Sequence, residues 1–143
     1  MVRLRRLPGW ETALTDFLKA AAARPFSWGE HDCLLFAADW VRRMTGVDCA
    51  APHRGKYKTA RGAAGVLRRM GAADAADVPD MFAPRHEAPA LARRGDIVAV
   101  PAGADGELCV GVVDDSGARV AVVSPEGLTR YPLERAAVSW RIG

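Results

Sequence analysis

A cysteine that follows an aspartate opens the most apolar stretch of the first half of the chain, at Asp32-Cys33. Asp32 is suited to cap a helix beginning at Cys33, because a short carboxylate accepts hydrogen bonds from unpaired N–H groups of the first turn. These N–H groups and the partial positive charge of a helix N-terminus favour a thiolate over a thiol. A thiolate is the nucleophile of cysteine enzymes, so the spacing predicts nucleophilic chemistry at Cys33.

Three helices are predicted to position this cysteine. Apolar residues at helical spacing predict the first over Trp10–Ala23, and the second runs from Cys33 to Met44 with Gly46 just past its end. A third helix is capped by Thr59 and ended by Gly71. The second helix is apolar on most sides and is therefore predicted to be central and buried, with Cys33 at the head of its inward stripe.

The second half of the chain changes to strand-like patterning. An irregular connection over residues 72–92, with one short helix near Val78–Phe82, leads into short β-rich runs separated by turn signals. The runs are Asp96–Pro101, Glu107–Asp114, Arg119–Ser124, Leu128–Pro132 and Ala137–Ile142. Helices followed by an antiparallel meander predict an α+β fold, and 143 residues fit a single domain covering residues 1–143.

Composition narrows the possible partners. Half of the residues are hydrophobic and no apolar run is long enough for a membrane span. The basic start, Met1–Arg6, lacks a following apolar region, so we expect no signal peptide and synthesis in the cytoplasm. The net charge is +3, but the arginines are spread along the chain in pairs. The densest basic stretch, Arg54–Arg61, is interpreted as a solvated face rather than a nucleic-acid site, with anion binding as the alternative.

Three cysteines, Cys33, Cys49 and Cys109, form neither a disulfide framework nor a C-x-x-C pair. His31 and Cys33 supply only two of the four ligands of a structural zinc site. We therefore expect neither a metal site nor a cofactor.

Several short motifs of this sequence are similar to motifs of one known protein family. Trp28-Gly29 precedes Asp32-Cys33, Gly95-Asp96-Ile97-Val98 opens the predicted sheet, and Val110–Val113 forms its second strand. With these motifs the chain resembles the NlpC-type papain-like cysteine peptidases. Arg54–Tyr57 and Trp140–Ile142 are similar to a small group of phage and prophage relatives found near tail genes. The resemblance implies a papain-like fold, action on peptidoglycan peptides, phage tail proteins as partners, and a place in the virion tail or in the host cytoplasm during assembly.

The resemblance also implies which residues form the site, and one of them departs from the pattern. The family places a histidine, as general base, where this chain has Cys109, and an orienting polar residue near Ser124. His31 is the candidate substitute base, although a loop or capping role is the simpler interpretation. Candidate substrate-binding residues are Trp28, Asp32, Arg54 and Tyr57. Their alternatives are structural: core packing for Trp28, a helix cap for Asp32 and packing under its loop for Tyr57.

Three functions remain open at this point. An atypical cysteine peptidase requires an accessible Cys33 with a lowered pKa and a base such as His31 nearby. A catalytically silent tail component of the same fold requires that Cys33 face Cys109 with no imidazole beside them, and in an oxidising compartment the two could pair as a disulfide. A basic binding module requires salt-dependent association with nucleic acid. Both other histidines, His53 and His86, are predicted to lie on the surface.

Overall fold

The helices begin and end at the residues that the sequence marks as caps. Asp32 accepts a hydrogen bond from Leu35 N at 3.0 Å, and Thr59 accepts one from Gly62 N at 3.0 Å. Gly46 and Gly71 take the left-handed conformation that ends a helix, each with φ of 83°. The three helix predictions are therefore confirmed, with the second helix one residue longer than predicted.

The protein is described here by a computed structural model that covers residues 3–143; Met1 and Val2, which belong to the predicted domain and its basic start, lie outside the described residues. The architecture is α+β. Its helices are α1 (Trp10–Ala23), α2 (Cys33–Thr45) and α3 (Ala60–Met70), and its strands are β1 (Ile97–Pro101), β2 (Leu108–Val113), β3 (Arg119–Ser124), β4 (Gly127–Pro132) and β5 (Val138–Trp140).

The predicted short helix near Val78–Phe82 is a single 3₁₀ turn. Within residues 3–143, none of the helices is long and apolar enough to cross a membrane.

The five strands form one antiparallel sheet in the order β4-β3-β2-β1-β5. The predicted meander is therefore wrong for the last strand, because β5 pairs with β1 (Ile97 opposite Trp140) instead of extending the sheet beyond β4. Burial explains the difference: β4 is a largely exposed edge, whereas Trp140 is fully buried beside β1 and donates its indole N–H to Asp80 at 2.8 Å.

Alternate residues of the strands build two apolar layers on the two faces of the sheet. The first layer packs against α1 and α2 and contains the largest core side chains, including Phe36, Trp40 and Met44. The second layer is smaller and consists of Ala92 and five valines: Val98, Val100, Val113, Val120 and Val122. Cys33 and Cys109 both pack at the border of this second layer. The first residue of α2 therefore contacts the face of the sheet that lies opposite the main helical core.

The sheet is split between β2 and β3 next to this border, because the two strands pair over only part of their length. β3 pairs with β2 only at Val112–Ala121 and Val113–Val120, so the first part of β2, residues 108–111, has β1 as its one recorded strand neighbour. Gly111 permits the close approach at the end of the split, because a Cβ there would lie 2.3 Å from Ala121 O. The backbone of early β2 is thereby left to face the first turn of α2.

A buried carboxylate ties both ends of the chain to the sheet. Asp96 is fully buried and accepts hydrogen bonds from Arg6 Nη2 (2.8 Å), His86 Nε2 (2.8 Å), Arg93 N (2.9 Å) and Ile142 N (3.1 Å). The prediction of a surface position for His86 is therefore wrong, since its side chain is only 11% exposed. A buried charge needs such partners, and these four donors supply them.

Candidate functional site

A tight loop delivers the chain into the first turn of α2. Ser27 N donates to His31 O at 3.1 Å and His31 N donates to Ser27 O at 2.8 Å, which closes the loop on itself. Gly29, at its tip, has φ of 82°, and a Cβ there would lie 2.0 Å from Tyr57 O. Only glycine fits this position, because both the backbone conformation and the neighbouring carbonyl exclude a side chain.

Asp32 joins this loop, α2 and the segment containing Tyr57. It is 2% exposed and accepts hydrogen bonds from Leu35 N (3.0 Å), Gly29 N (3.0 Å) and the Tyr57 hydroxyl (2.5 Å). Burial and the Asp32 hydrogen bond raise the pKa of Tyr57 far above its ordinary value, so the phenol stays protonated and donates. All recorded contacts of the Asp32 carboxylate are therefore structural.

Cys33 and Cys109 both pack against the second layer, and each thiol affects the pKa of the other. Both side chains are half-buried. Cys33 also receives the backbone N–H of Val110, from the part of β2 beside the split. Two cysteines on different elements thus form one thiol pair where α2 meets the sheet, which we call the Cys33–Cys109 pair.

The two thiols act on one another's acidity. The interaction with Cys109, burial and the neighbouring charge of Asp32 raise the pKa of Cys33, so the expectation of a thiolate at the helix N-terminus is wrong. The neighbouring Cys33 lowers the pKa of Cys109, against the opposing effects of burial and Glu107.

His31 does not take part in this pair. Its imidazole is 2% exposed, its Nε2–H donates to Ala21 O at 3.3 Å, and its ring meets Phe36 edge-on at 6.2 Å between centroids. Phe36 belongs to the main helical core, whereas Cys33 borders the opposite layer. Burial and the nearby Arg24 lower the pKa of His31, which keeps the ring neutral. The imidazole of His31, the candidate substitute base, is therefore directed towards α1.

Ser124, the candidate orienting residue, is engaged in its own turn. Its hydroxyl donates to Glu126 Oε2 at 3.0 Å and accepts from Glu126 N at 3.3 Å. The residue ends β3, beyond the last pair that β3 makes with β2. Its recorded hydrogen bonds all lie within the β3–β4 turn, so the structure does not bring Ser124 to the thiol pair.

Of the remaining candidate substrate-binding residues, Arg54 is structural and Trp28 is a surface feature. Arg54 Nη1 lies 2.6 Å from Asp39 on α2, and Arg54 Nη2 lies 2.9 Å from Asp48. These ion pairs hold the Tyr57 segment against α2 and neutralise the guanidinium. Trp28 is half-buried and packs edge-on against Phe26 at 4.9 Å, so its expected core position is wrong and part of its ring faces solvent beside the loop.

An apolar cavity of about 110 Å³, which sequence reasoning missed, lies between α2 and α3. Val66, the buried residue of α3, faces it together with Leu34 and Phe82, and Cys49 and His53 also contribute to its lining. The apolar edge of α3 was the available sequence signal for it. Residues 3–143 contain no group of three or more side chains arranged to hold a metal ion.

Comparison with known proteins places the chain in a family but adds no activity. No curated protein matches the chain. Residues 5–142 match the family described as a domain of unknown function, DUF6950. Because this match covers nearly the whole sequence, the protein belongs to the DUF6950 family.

Proposed function

We propose that this protein is a papain-like domain of the NlpC type, associated with phage tails, that has the layout of a cysteine peptidase but no proton acceptor for its cysteine. The observation that carries the proposal is the Cys33–Cys109 pair: a thiol occupies the place beside Cys33 where a cysteine peptidase needs an imidazole. Such a domain serves the tail as a structural or assembly component.

The acid–base properties of the pair support the loss of peptidase chemistry. A cysteine nucleophile needs a lowered pKa and a base that accepts its proton near neutral pH. Cys33 has a raised pKa, and the neighbour that acts on it is another thiol, Cys109. The buried, neutral ring of His31 donates to a backbone carbonyl on α1 instead.

The layout around the pair supports the papain-like part of the proposal. The nucleophile position lies at the first residue of a central helix, and its neighbour lies on a strand of an antiparallel sheet that follows the helices in the chain. The tail association rests on the sequence resemblance of Arg54–Tyr57 and Trp140–Ile142. Detection of the protein in purified particles made from its own prophage tests that part directly.

A basic nucleic-acid-binding function has less support. Arg54, at the start of the densest basic stretch, is paired with Asp39 and Asp48, and Arg6 is paired with buried Asp96. Guanidinium groups held by carboxylates have little charge left to neutralise phosphates.

The peptidase question is tested by incubating the protein with purified peptidoglycan and with its isolated stem peptides. We expect no peptide-bond cleavage that disappears in Cys33→Ala. In Cys109→His, which returns an imidazole to the position beside Cys33, we expect Cys33 to become alkylated by iodoacetamide near neutral pH. Cleavage by the unmodified protein that depends on Cys33 would overturn the proposal of a silent site. Unchanged alkylation in a folded Cys109→His variant would contradict the assigned place of the imidazole.

A further inference from the structure

The apolar cavity between α2 and α3 is walled by side chains from several elements. Leu34 and Ala38 of α2 line it on one side, and Ala63 and Val66 of α3 line it on the other. Val110 of β2, which is fully buried, also contributes to the lining. Every residue that lines the cavity within residues 3–143 is buried or half-buried, and none is exposed. The space is therefore a recess in the interior of the protein and not a groove on its surface.

The lining is almost free of polar chemistry. Among the described residues that line the cavity there is no aspartate, glutamate, lysine or arginine, and the polar side chains are those of Cys49, His53 and Tyr57. The Tyr57 hydroxyl already donates to Asp32, and burial and Asp48 raise the pKa of Cys49, so its thiol stays protonated. Because a buried water needs two to four polar partners, this lining favours an apolar occupant over water.

The volume of the cavity sets the size of this occupant. Protein interiors contain few spaces larger than a water molecule, and this one measures about 110 Å³. An apolar cavity of about 150 Å³ is large enough to stay dry and bind benzene. Side chains around an empty space lack dispersion contacts on that side, and an apolar molecule supplies them. A charged molecule would bury its charge without a partner, which is costly.

We propose that this cavity is a binding site for an uncharged apolar molecule about the size of a single aromatic ring. The ligand contacts α2 and α3 together and covers the apolar edge of α3, where Val66 is buried and Ala63, Leu67 and Met70 are half-buried. The cavity lies on the face of the sheet that carries the main helical core, whereas the Cys33–Cys109 pair borders the second layer. This binding function therefore goes beyond the silent peptidase layout and does not depend on it.

The test is a titration of the full chain with toluene, followed by the NMR signals of its methyl groups. We expect saturable shifts of the methyl signals of Leu34, Val66 and Leu67, with nuclear Overhauser effects between these methyl groups and the toluene ring. Benzoate, which presents the same ring with a carboxylate, is the matched control ligand and should shift none of these signals, because its charge would be buried unpaired.

Two neighbouring alanines of α3 provide matched variants. Ala63 lines the cavity, whereas Ala64 is exposed on the same helix. Ala63→Leu should weaken toluene binding at least about tenfold, because the added carbon atoms take up the space, and Ala64→Leu should change it less than about twofold. Circular dichroism identifies the variants that keep the fold. If Ala63→Leu does not fold, Ala38→Leu fills the cavity from the opposite wall and takes its place in the comparison.

Several outcomes would overturn the proposal. One is the lack of saturable shifts at the lining methyl groups when the solution is saturated with toluene. Another is a set of nuclear Overhauser effects confined to methyl groups outside the cavity, which would place toluene on the surface. Equal toluene affinity of a folded cavity-filling variant and of Ala64→Leu, or equal shifts with benzoate and toluene, would likewise rule out the assigned site.

Discussion

Replacing Asp32 by asparagine should weaken the fold and make Cys33 more acidic at the same time. The carboxylate accepts from Leu35 N, Gly29 N and the Tyr57 hydroxyl while 2% exposed. An asparagine carbonyl can still accept from Leu35 N, but its NH₂ group cannot accept from Gly29 N–H. A hydrogen bond to a buried charge contributes about 1.5–3 kcal/mol, so Asp32→Asn should lower the free energy of unfolding by about 2–3 kcal/mol. At roughly 3 °C per kcal/mol for a chain of this size, Tm should fall by about 6–9 °C.

The acidity change follows from the lost charge. The neighbouring Cys109 thiol and burial still raise the pKa of Cys33 in Asp32→Asn, but the Asp32 charge no longer does. Iodoacetamide alkylation of Cys33, followed at the peptide level against pH, should therefore shift to lower pH. Tyr57→Phe is the matched control, because it removes one donor, costs about 1.5 kcal/mol and keeps the charge. An alkylation profile in Asp32→Asn that stays in place or moves to higher pH would refute the reasoning.

Three further predictions concern the surroundings of the site. Asp96→Asn, which leaves the Arg6 guanidinium without its carboxylate partner, should cost about 3 kcal/mol or more in urea unfolding, whereas exposed Asp105→Asn should stay within about 0.5 kcal/mol. Equal costs would contradict the buried network. Gly29→Ala should cost at least about 2 kcal/mol, because its Cβ would strike Tyr57 O, and a stable Gly29→Ala would disprove that contact. His31, whose pKa burial lowers from 6.5, stabilises the fold above pH 6.5 and loses this contribution as pH falls towards the lowered pKa. His31→Gln should reduce the loss of folding stability as pH falls. An unchanged pH dependence of stability would contradict the assignment of this loss to His31.

The elements that the sequence predicted well are those fixed by neighbouring residues. Asp32, Thr59 and the two terminal glycines set the ends of α2 and α3 through contacts within a few positions, so local chemistry was sufficient. The position of β5 in the sheet, in contrast, is not determined by residues close to it in the sequence. It depends on which edge of the sheet can bury Trp140, and that edge is built by β1 and by the segment containing Asp80.

The site was predictable in its position but not in its electrostatics. The place of Cys33 at the start of a buried helix followed from spacing, and the family resemblance pointed to Cys109 as its neighbour. The pKa of Cys33 moves in the opposite direction because a second thiol and a buried carboxylate act on it through space. His86 was misplaced for a similar reason, since its partner Asp96 is reached only once the sheet has formed.

The central claim, that Cys33 is paired with a thiol and lacks an imidazole base, is tested most directly by the pH dependence of Cys33 alkylation beside His31→Ala. Both proteins carry Cys49→Ser so that the reagent reports the pair alone. We predict that Cys33 becomes reactive only above the pKa of an ordinary thiol, about 8.5, and that His31→Ala leaves this profile unchanged in the folded protein. A reactive thiolate at neutral pH that disappears in His31→Ala would contradict the account and identify a working cysteine–histidine pair.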